Sequence, residues 1–288
     1  MQYRILGKTG LKVSAVGFGG IPIQRIDARG TRALMERLVE KGVNYIDTAR
    51  GYTVSESYLG EALSGGLREK FILATKSMSR GYADMARDIG ISLSNLRTDY
   101  IDLYQLHNIK SDADFELAFS AEGAVAAIQD AIRAGKVGHL GATAHSVDSF
   151  ERLLSYPEIE TIMFPYNIVE SQGEALMERA AAQNVGVIAM KPLAGGNITD
   201  GTLAMRYILQ NKTCTLAIPG MATLEEIEQN TAAAEQDGPL TPEELAACEA
   251  IRAGLSGNFC RRCGYCAPCT VGIDIPGIFT LENYLKHY

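Results

Sequence analysis

Asp99-Tyr100-Ile101-Asp102-Leu103-Tyr104-Gln105-Leu106-His107 is a short apolar run that ends in polar groups, with helical sequence on both sides. Upstream, 83–96 carries apolar residues at helical spacing, and downstream 115–134 does the same until Gly135 stops it. The same unit recurs along the chain. Strands are expected at 15–20, 45–48, 71–76, 100–107, 139–143, 161–166, 185–191 and 214–219. They are rich in Val, Ile, Leu and Phe with little alternation, the pattern of strands covered on both faces. Helices are expected between and after them at 31–41, 55–63, 83–96, 115–134, 147–154, 174–183, 202–210 and 224–234. Thr223 ahead of Leu224-Glu225-Glu226 reads as an N-cap with a capping-box acid, and Thr241-Pro242-Glu243-Glu244 as a further helix start. Repeated β–α units in series predict an α/β fold closed as a (β/α)8 TIM barrel. The other arrangement is an open doubly wound sheet. Gly17-Phe18-Gly19-Gly20 lacks the G-x-G-x-x-G spacing, so a Rossmann fingerprint is absent. Gly7, Thr9 and Gly10 mark the turn of an N-terminal β-hairpin. Beyond Gly254 the helical period is lost and Gly, Cys and Pro become dense. Two units are therefore expected, a barrel over 1–253 and a small Cys-rich extension over 254–288.

A chain of 288 residues, 47% of them hydrophobic, can bury a full core. A net charge of −7 argues against a nucleic-acid partner, which needs basic surface to displace phosphate counterions. No apolar run reaches the length of a membrane span. The N-terminal Arg4, Lys8 and Lys12 precede no continuous apolar stretch, so a signal peptide is not expected. A cytoplasmic protein with no membrane partner is the expectation.

Barrel sites are built where strands end, at the C-terminal face. The second strand ends in Ile46-Asp47-Thr48-Ala49, with Tyr52 close behind; the third ends in Ala74-Thr75-Lys76, the fourth in His107. An acid, a phenol, an ammonium and an imidazole thus meet on one rim. Hydride transfer to a carbonyl carbon builds negative charge on oxygen, so a proton donor must sit there. A free phenol, with a pKa of about 10, is too weak an acid unless a cation favours its phenolate. Lys76 is the candidate cation, Asp47 would orient it and offset the burial of its charge, and His107 could polarise the substrate oxygen.

These residues, with other stretches, resemble the aldo-keto reductase superfamily over 1–253. The matching stretches are Leu6 to Ser14, Gly17-Phe18-Gly19-Gly20, Asn44 to Ala49 with Gly51-Tyr52, Ala74-Thr75-Lys76 and Asp99 to His107. Lys136-Val137-Gly138, Pro165-Tyr166-Asn167, Pro192 to Gly196 and Ile218-Pro219-Gly220 with Asn230 follow in order. The resemblance implies a catalytic tetrad of Asp47, Tyr52, Lys76 and His107, with Tyr52 the proton donor. It also implies NADPH or NADH lying extended over the barrel mouth, along Gly19, Gly20, Asp47, Thr143, Met190, Lys191, Pro192, Leu193, Gly220, Glu226 and Asn230. Small aldehydes, ketones or alcohols would be the substrates. A non-catalytic nicotinamide-binding sensor on the same barrel is the alternative. Several positions depart from the family. Thr143-Ala144 stand where Ser-Asn often hold the nicotinamide, with His145 next; Met163 replaces a frequent Gln and Met190 a stacking aromatic. Gly220 and Glu226 stand where a Lys and an Arg flank the NADPH 2′-phosphate in familiar members. An acid repels a phosphate and accepts hydrogen bonds from a ribose hydroxyl, while Lys191 could compensate. The cofactor choice stays open at this level. Ile21, Pro22, Ile23, Tyr82, Asn108, Phe164 and Asn167 are plausible pocket walls.

Cys214 and Cys248 read as packing residues. Cys260, Cys263, Cys266 and Cys269 follow a C-x2-C-x2-C-x2-C spacing, with Ile273-Asp274-Ile275-Pro276 behind them. The run resembles the cysteine tail of a bacterial and archaeal aldo-keto reductase subgroup, which implies a [4Fe–4S] cluster and a redox partner protein. Its last gap is one residue shorter than the ferredoxin pattern. A four-cysteine zinc site is the other reading.

Overall fold

The computed structural model describes residues 1–236, 238–255, 257, 259–261, 266 and 269–287. A hairpin comes first, β1 (Tyr3–Ile5) pairing antiparallel with β2 (Lys12–Ser14). The eight parallel strands are β3 (Phe18–Gly19), β4 (Tyr45–Asp47), β5 (Ile72–Ser77), β6 (Ile101–Leu106), β7 (Val137–Thr143), β8 (Thr161–Pro165), β9 (Gly186–Met190) and β10 (Leu216–Ala217). They lie side by side in chain order. Parallel bridges between Val16 and Ala217 and between Gly19 and Gly220 bring the first strand onto the last, as a barrel requires. Gly19 sits at that seam: a Cβ there would lie 2.9 Å from the carbonyl oxygens of Ile218 and Pro219. Only glycine lets the two backbones approach so closely.

The helices are α1 (Ala28–Glu40), α2 (Ser55–Ala62), α3 (Tyr82–Asn95), α4 (Asp112–Ala118), α5 (Ala124–Arg133), α6 (Val147–Leu153), α7 (Glu174–Ala182), α8 (Gly201–Gln210), α9 (Leu224–Ala232), α10 (Pro242–Leu255) and α11 (Ile275–His287). Their apolar faces bury against the sheet and form the larger core, which includes Leu34, Leu38, Ile89, Ile128, Phe150 and Met205. A second cluster fills the barrel, with Tyr45, Ala74, Leu103, Met163, Ile188 and Leu216 packed on Leu6 and Val13 of the hairpin region. The hairpin thus plugs the end of the barrel opposite the strand C-termini. Cys214 and Cys248 are buried core residues, and burial pushes the Cys214 thiol up to about 12.

Two departures from the sequence reading have local causes. The helix expected over 115–134 is two helices. Ser111 and Asp114 form a capping box at the start of α4, and the chain turns at Gly123, where a Cβ would meet the Leu117 carbonyl oxygen at 2.2 Å. The extension is not free of helix either. Asp274 accepts a hydrogen bond from the Gly277 N–H at 3.1 Å and starts α11, with Pro276 in its first turn. Neither the cysteine density nor Pro276 stops a helix, because proline is tolerated where the N–H has no intrahelical partner. The unit boundary expected at 253/254 falls inside α10.

Candidate active site

Period-two alternation decides which side chains enter the barrel. Tyr45 and Asp47, Ala74 and Lys76, and Leu103 and Gln105 alternate with residues that face the helices. Strand register sets Asp47 beside Ala74 and Lys76 beside Gln105. Above an apolar layer of Tyr45, Ala74 and Leu103 lies a polar layer of Asp47, Lys76 and Gln105, all three buried. Lys76 Nζ donates to Asp47 Oδ2 and to the Thr48 carbonyl at 2.9 Å. Gln105 Nε2 donates to Asp47 Oδ1 at 3.1 Å. Each carboxylate oxygen therefore has its own donor. Burial alone would lower the Lys76 ammonium, but Asp47 and Tyr52 outweigh it and raise it. Burial likewise raises Asp47, against the pull of Lys76 and Gln105. Lys76 is thus held as a cation inside the barrel mouth.

Tyr52 stands on the loop between β4 and α2, its ring 4.9 Å from Lys76 Nζ. The loop is pinned at both ends. Arg50 N–H donates to the Lys76 carbonyl at 3.0 Å, and Ser55 Oγ bridges Thr48 Oγ1 and the Gly20 carbonyl, each at 2.8 Å. His107, just past β6, meets Tyr52 edge-on with ring centroids 6.0 Å apart. Burial, with Lys76 and Arg80 adding to it, pushes the imidazole down to about 3. His107 is neutral across the physiological range, able to donate from one ring nitrogen. Its Nδ1 has no hydrogen-bond partner among the described residues.

One cleft of about 460 Å³ runs over this rim. Asp47, Tyr52, Lys76 and His107 share it with Gly19, Gly20, Thr143, Met190, Lys191, Pro192, Leu193, Gly220 and Glu226. Thr143 Oγ1 accepts the Asn108 N–H at 2.7 Å, which leaves its own proton to donate. Past β9 the backbone turns left-handed at Lys191, Ala194, Gly195 and Gly196, with φ of 55°, 49°, 70° and 97°. Within this loop the Ala194 and Gly196 N–H groups donate to the Lys191 and Leu193 carbonyls, each at 2.9 Å. Glu226 is the capping-box acid of α9, accepting the N–H groups of Ala222 at 2.6 Å and Thr223 at 3.0 Å. Asn230, grouped with these residues by the resemblance, is buried and does not line the cleft; a Cβ on Gly201 would touch its Oδ1.

The expected pocket walls divide. Ile21 and Pro22 line the cleft, while Ile23 is in the core, Tyr82 bonds Asp130 on the outside, and Asn167 is buried. Asn167 holds the Val169 and Glu170 N–H groups and the Lys191 carbonyl. Asn108 and Phe164 also lie outside the lining.

A sequence model of the Aldo/keto reductase family matches residues 15–202. The chain belongs to the aldo/keto reductase family. It is an oxidoreductase of that family, whose members use NAD(P)H. L-galactose dehydrogenase of Arabidopsis thaliana is 28% identical, over 87% of this chain and 94% of that protein. Among solved structures, the holo form of the aldo-keto reductase AKR11C1 from Bacillus halodurans superposes with a TM-score of 0.76 at 26% identity, over 87% of this chain and 96% of that one. An aldo-keto reductase from Pseudomonas aeruginosa gives 0.72 at 30% identity, over 81% and 95%. No described helix is long and apolar enough to cross a membrane.

The sequence reading missed the contribution of the extension. Phe259, Cys260, Pro276, Phe279, Thr280 and Lys286 line the same cleft, so α11 lies beside the barrel mouth. Its helical spacing (276, 279, 280 and 286 on one side) was the available signal. Gln105 is a further buried partner of the site, and alternation along β6 from Leu103 turns it inward. Of the four clustered cysteines, Cys263 lies outside the described residues. Cys260, Cys266 and Cys269 are in no disulfide. Among the described residues no group of three or more potential ligands is gathered for a metal. Backbone N–H groups of Val271, Ile273 and Gly272 hold the Cys269 thiol below its usual range, an environment that suits a thiolate donor.

Proposed function

We propose that this reductase interconverts an aldehyde or ketone and its alcohol with a nicotinamide cofactor, Tyr52 being the proton donor and acceptor. The observation that carries this reading is Lys76, buried, charged and paired with Asp47, beneath the Tyr52 ring. A fixed cation there stabilises the phenolate left when Tyr52 gives up its proton. Asp47, held by Gln105, keeps Lys76 aimed. Neutral His107 donates to the carbonyl oxygen and so orients it, without a net charge of its own to compete with Lys76. The cofactor supplies the hydride when bound. Thr143 would hold its amide, and the left-handed loop after β9 its phosphates. We read the cofactor as NADH rather than NADPH, because Glu226 already takes the Ala222 and Thr223 N–H groups just ahead of α9, and its charge opposes a phosphate there.

Tyr52→Phe tests the mechanism. It should abolish turnover with the best carbonyl substrate while nicotinamide binding, read by fluorescence titration, stays within about twofold. Turnover that survives the change refutes the role of Tyr52; loss of binding with it makes Tyr52 a binding residue instead. For Cys260, Cys263, Cys266 and Cys269 we propose a [4Fe–4S] cluster, with zinc as the other occupant. The C-x2-C-x2-C-x2-C spacing supports this reading.

A further inference from the structure

Glu56 is a carboxylate that the proposed chemistry does not use, yet it is among the most completely buried charges in the protein, 1% exposed. It stands in the first turn of α2, directly behind the rim. Its Oε1 accepts Thr75 Oγ1 at 2.8 Å and Ser92 Oγ at 2.7 Å; its Oε2 accepts Arg50 Nη1 at 2.9 Å and Asn95 Nδ2 at 3.2 Å. Ser92 Oγ in turn lies 3.3 Å from the Tyr104 hydroxyl of β6. Four donors from β5, α3 and the loop after β4 converge on one side chain. Burying a carboxylate is unfavourable unless its lone pairs are satisfied, and here they are.

The identity of the donors gives the arrangement its meaning. Arg50 lies two residues before Tyr52 on the same loop, and its backbone N–H already holds the Lys76 carbonyl at 3.0 Å. Thr75 immediately precedes Lys76 on β5, its side chain turned outward where that of Lys76 turns in. We infer that Glu56 is a positioning residue that locks the Tyr52 loop, through Arg50, to the strand carrying Lys76, through Thr75, and so sets the Tyr52–Lys76 alignment. This rests on Tyr52 being the proton donor. Glu56 touches neither substrate nor cofactor; it is absent from the cleft lining. Tyr52 itself is faced by Lys76, Asp47 and His107, and the Arg50–Glu56 pair adds a cation and an anion behind its loop.

The test uses the full-length enzyme and three variants, Glu56→Gln, Arg50→Gln and the double variant, with Ser92→Ala as a control that removes one bond to Glu56 but neither tether. Both single variants should lower kcat about ten- to a hundredfold, the scale of a sub-ångström to 1 Å misplacement of a reacting group. Nicotinamide affinity should stay within about twofold. The alkaline limb of the kcat profile should move in opposite directions. Glu56→Gln leaves the Arg50 cation uncompensated, favours the phenolate and shifts the limb to lower pH; Arg50→Gln leaves the Glu56 anion and shifts it to higher pH. The double variant should return the limb toward its native position with kcat still reduced. Ser92→Ala should lower Tm while keeping native kcat. A purely structural role would lower Tm without opposite pH shifts. Native kcat in folded Glu56→Gln, or an unmoved limb in both single variants, overturns the inference. If Glu56→Gln does not fold, native kcat in Arg50→Gln, whose side chain is partly exposed, overturns it alone. Full turnover in Tyr52→Phe would refute the function reading instead, and is read separately.

Discussion

Asp47→Asn removes one charge from a pair whose side chains are only 2% and 3% exposed. The amide cannot satisfy both neighbours. Whichever way it turns, its NH2 meets either Lys76 Nζ or Gln105 Nε2, both donors. Breaking a buried ion pair from one side removes about 3–5 kcal/mol, because the remaining charge stays buried without compensation. At about 2–4 °C per kcal/mol, Tm should fall by about 10 °C. The pH dependence gives the sharper check. In the native protein the Lys76 ammonium is raised, so its contribution is present below the unfolded value of about 10.4 and is lost only as pH rises through the higher folded value. Without Asp47 the burial that opposes the charge prevails, and the folded value drops below the unfolded one. Between the two values the unfolded chain binds one proton more than the folded chain, so stability rises with pH by up to about 1.4 kcal/mol per unit. The Tm gap between native and Asp47→Asn protein should therefore narrow steadily from pH 7 to pH 10 in thermal melts. A gap that is small and independent of pH would show that Lys76 does not depend on Asp47, and the account of the buried pair would fail. The variant should also lose reductase turnover, since a neutral Lys76 offers the Tyr52 phenolate nothing.

His107, Glu226 and the cysteine run each carry a further expected outcome. With His107 held down to about 3, kcat/KM should carry no histidine ionisation between pH 5 and 8; a limb in that range that disappears in His107→Gln would contradict a neutral imidazole. The depressed value also means that the folded state refuses a proton the unfolded chain accepts, so stability should decline as pH falls below about 6.5. Glu226→Gln keeps an acceptor for the Ala222 and Thr223 N–H groups but removes the charge, and should raise kcat/KM with NADPH relative to NADH by about tenfold, about 1.4 kcal/mol of removed repulsion; an unchanged ratio places the cofactor discrimination elsewhere. Anaerobically purified protein should contain iron and acid-labile sulfide and absorb as a brown chromophore, whereas zinc in their place would make the cysteine run a structural clip.

Local patterns carried the fold. Strands covered on both faces read as unbroken apolar runs, and the stops at Gly42 and Gly135 and the cap at Thr223 are local chemistry, so the β–α order could be read without tertiary information. The helix over 115–134 could not, because its break at Gly123 depends on how closely that backbone passes the Leu117 carbonyl. Helix α11 was missed because its apolar spacing is diluted by cysteine, glycine and proline just upstream.

The sequence by itself determined which residues stand at strand ends, and so named Asp47, Tyr52, Lys76 and His107, since position along a strand is a one-dimensional property. Which of them share a face follows from period two, also local. The tertiary structure alone decided what surrounds them. Gln105 on Asp47, the donors that Thr75, Ser92 and Asn95 send to Glu56, and the approach of Phe279 and Lys286 to the barrel mouth all join residues far apart in the chain. Electrostatics followed the same division. Whether Lys76 keeps its charge and His107 loses its own depends on burial and on partners brought in from neighbouring strands.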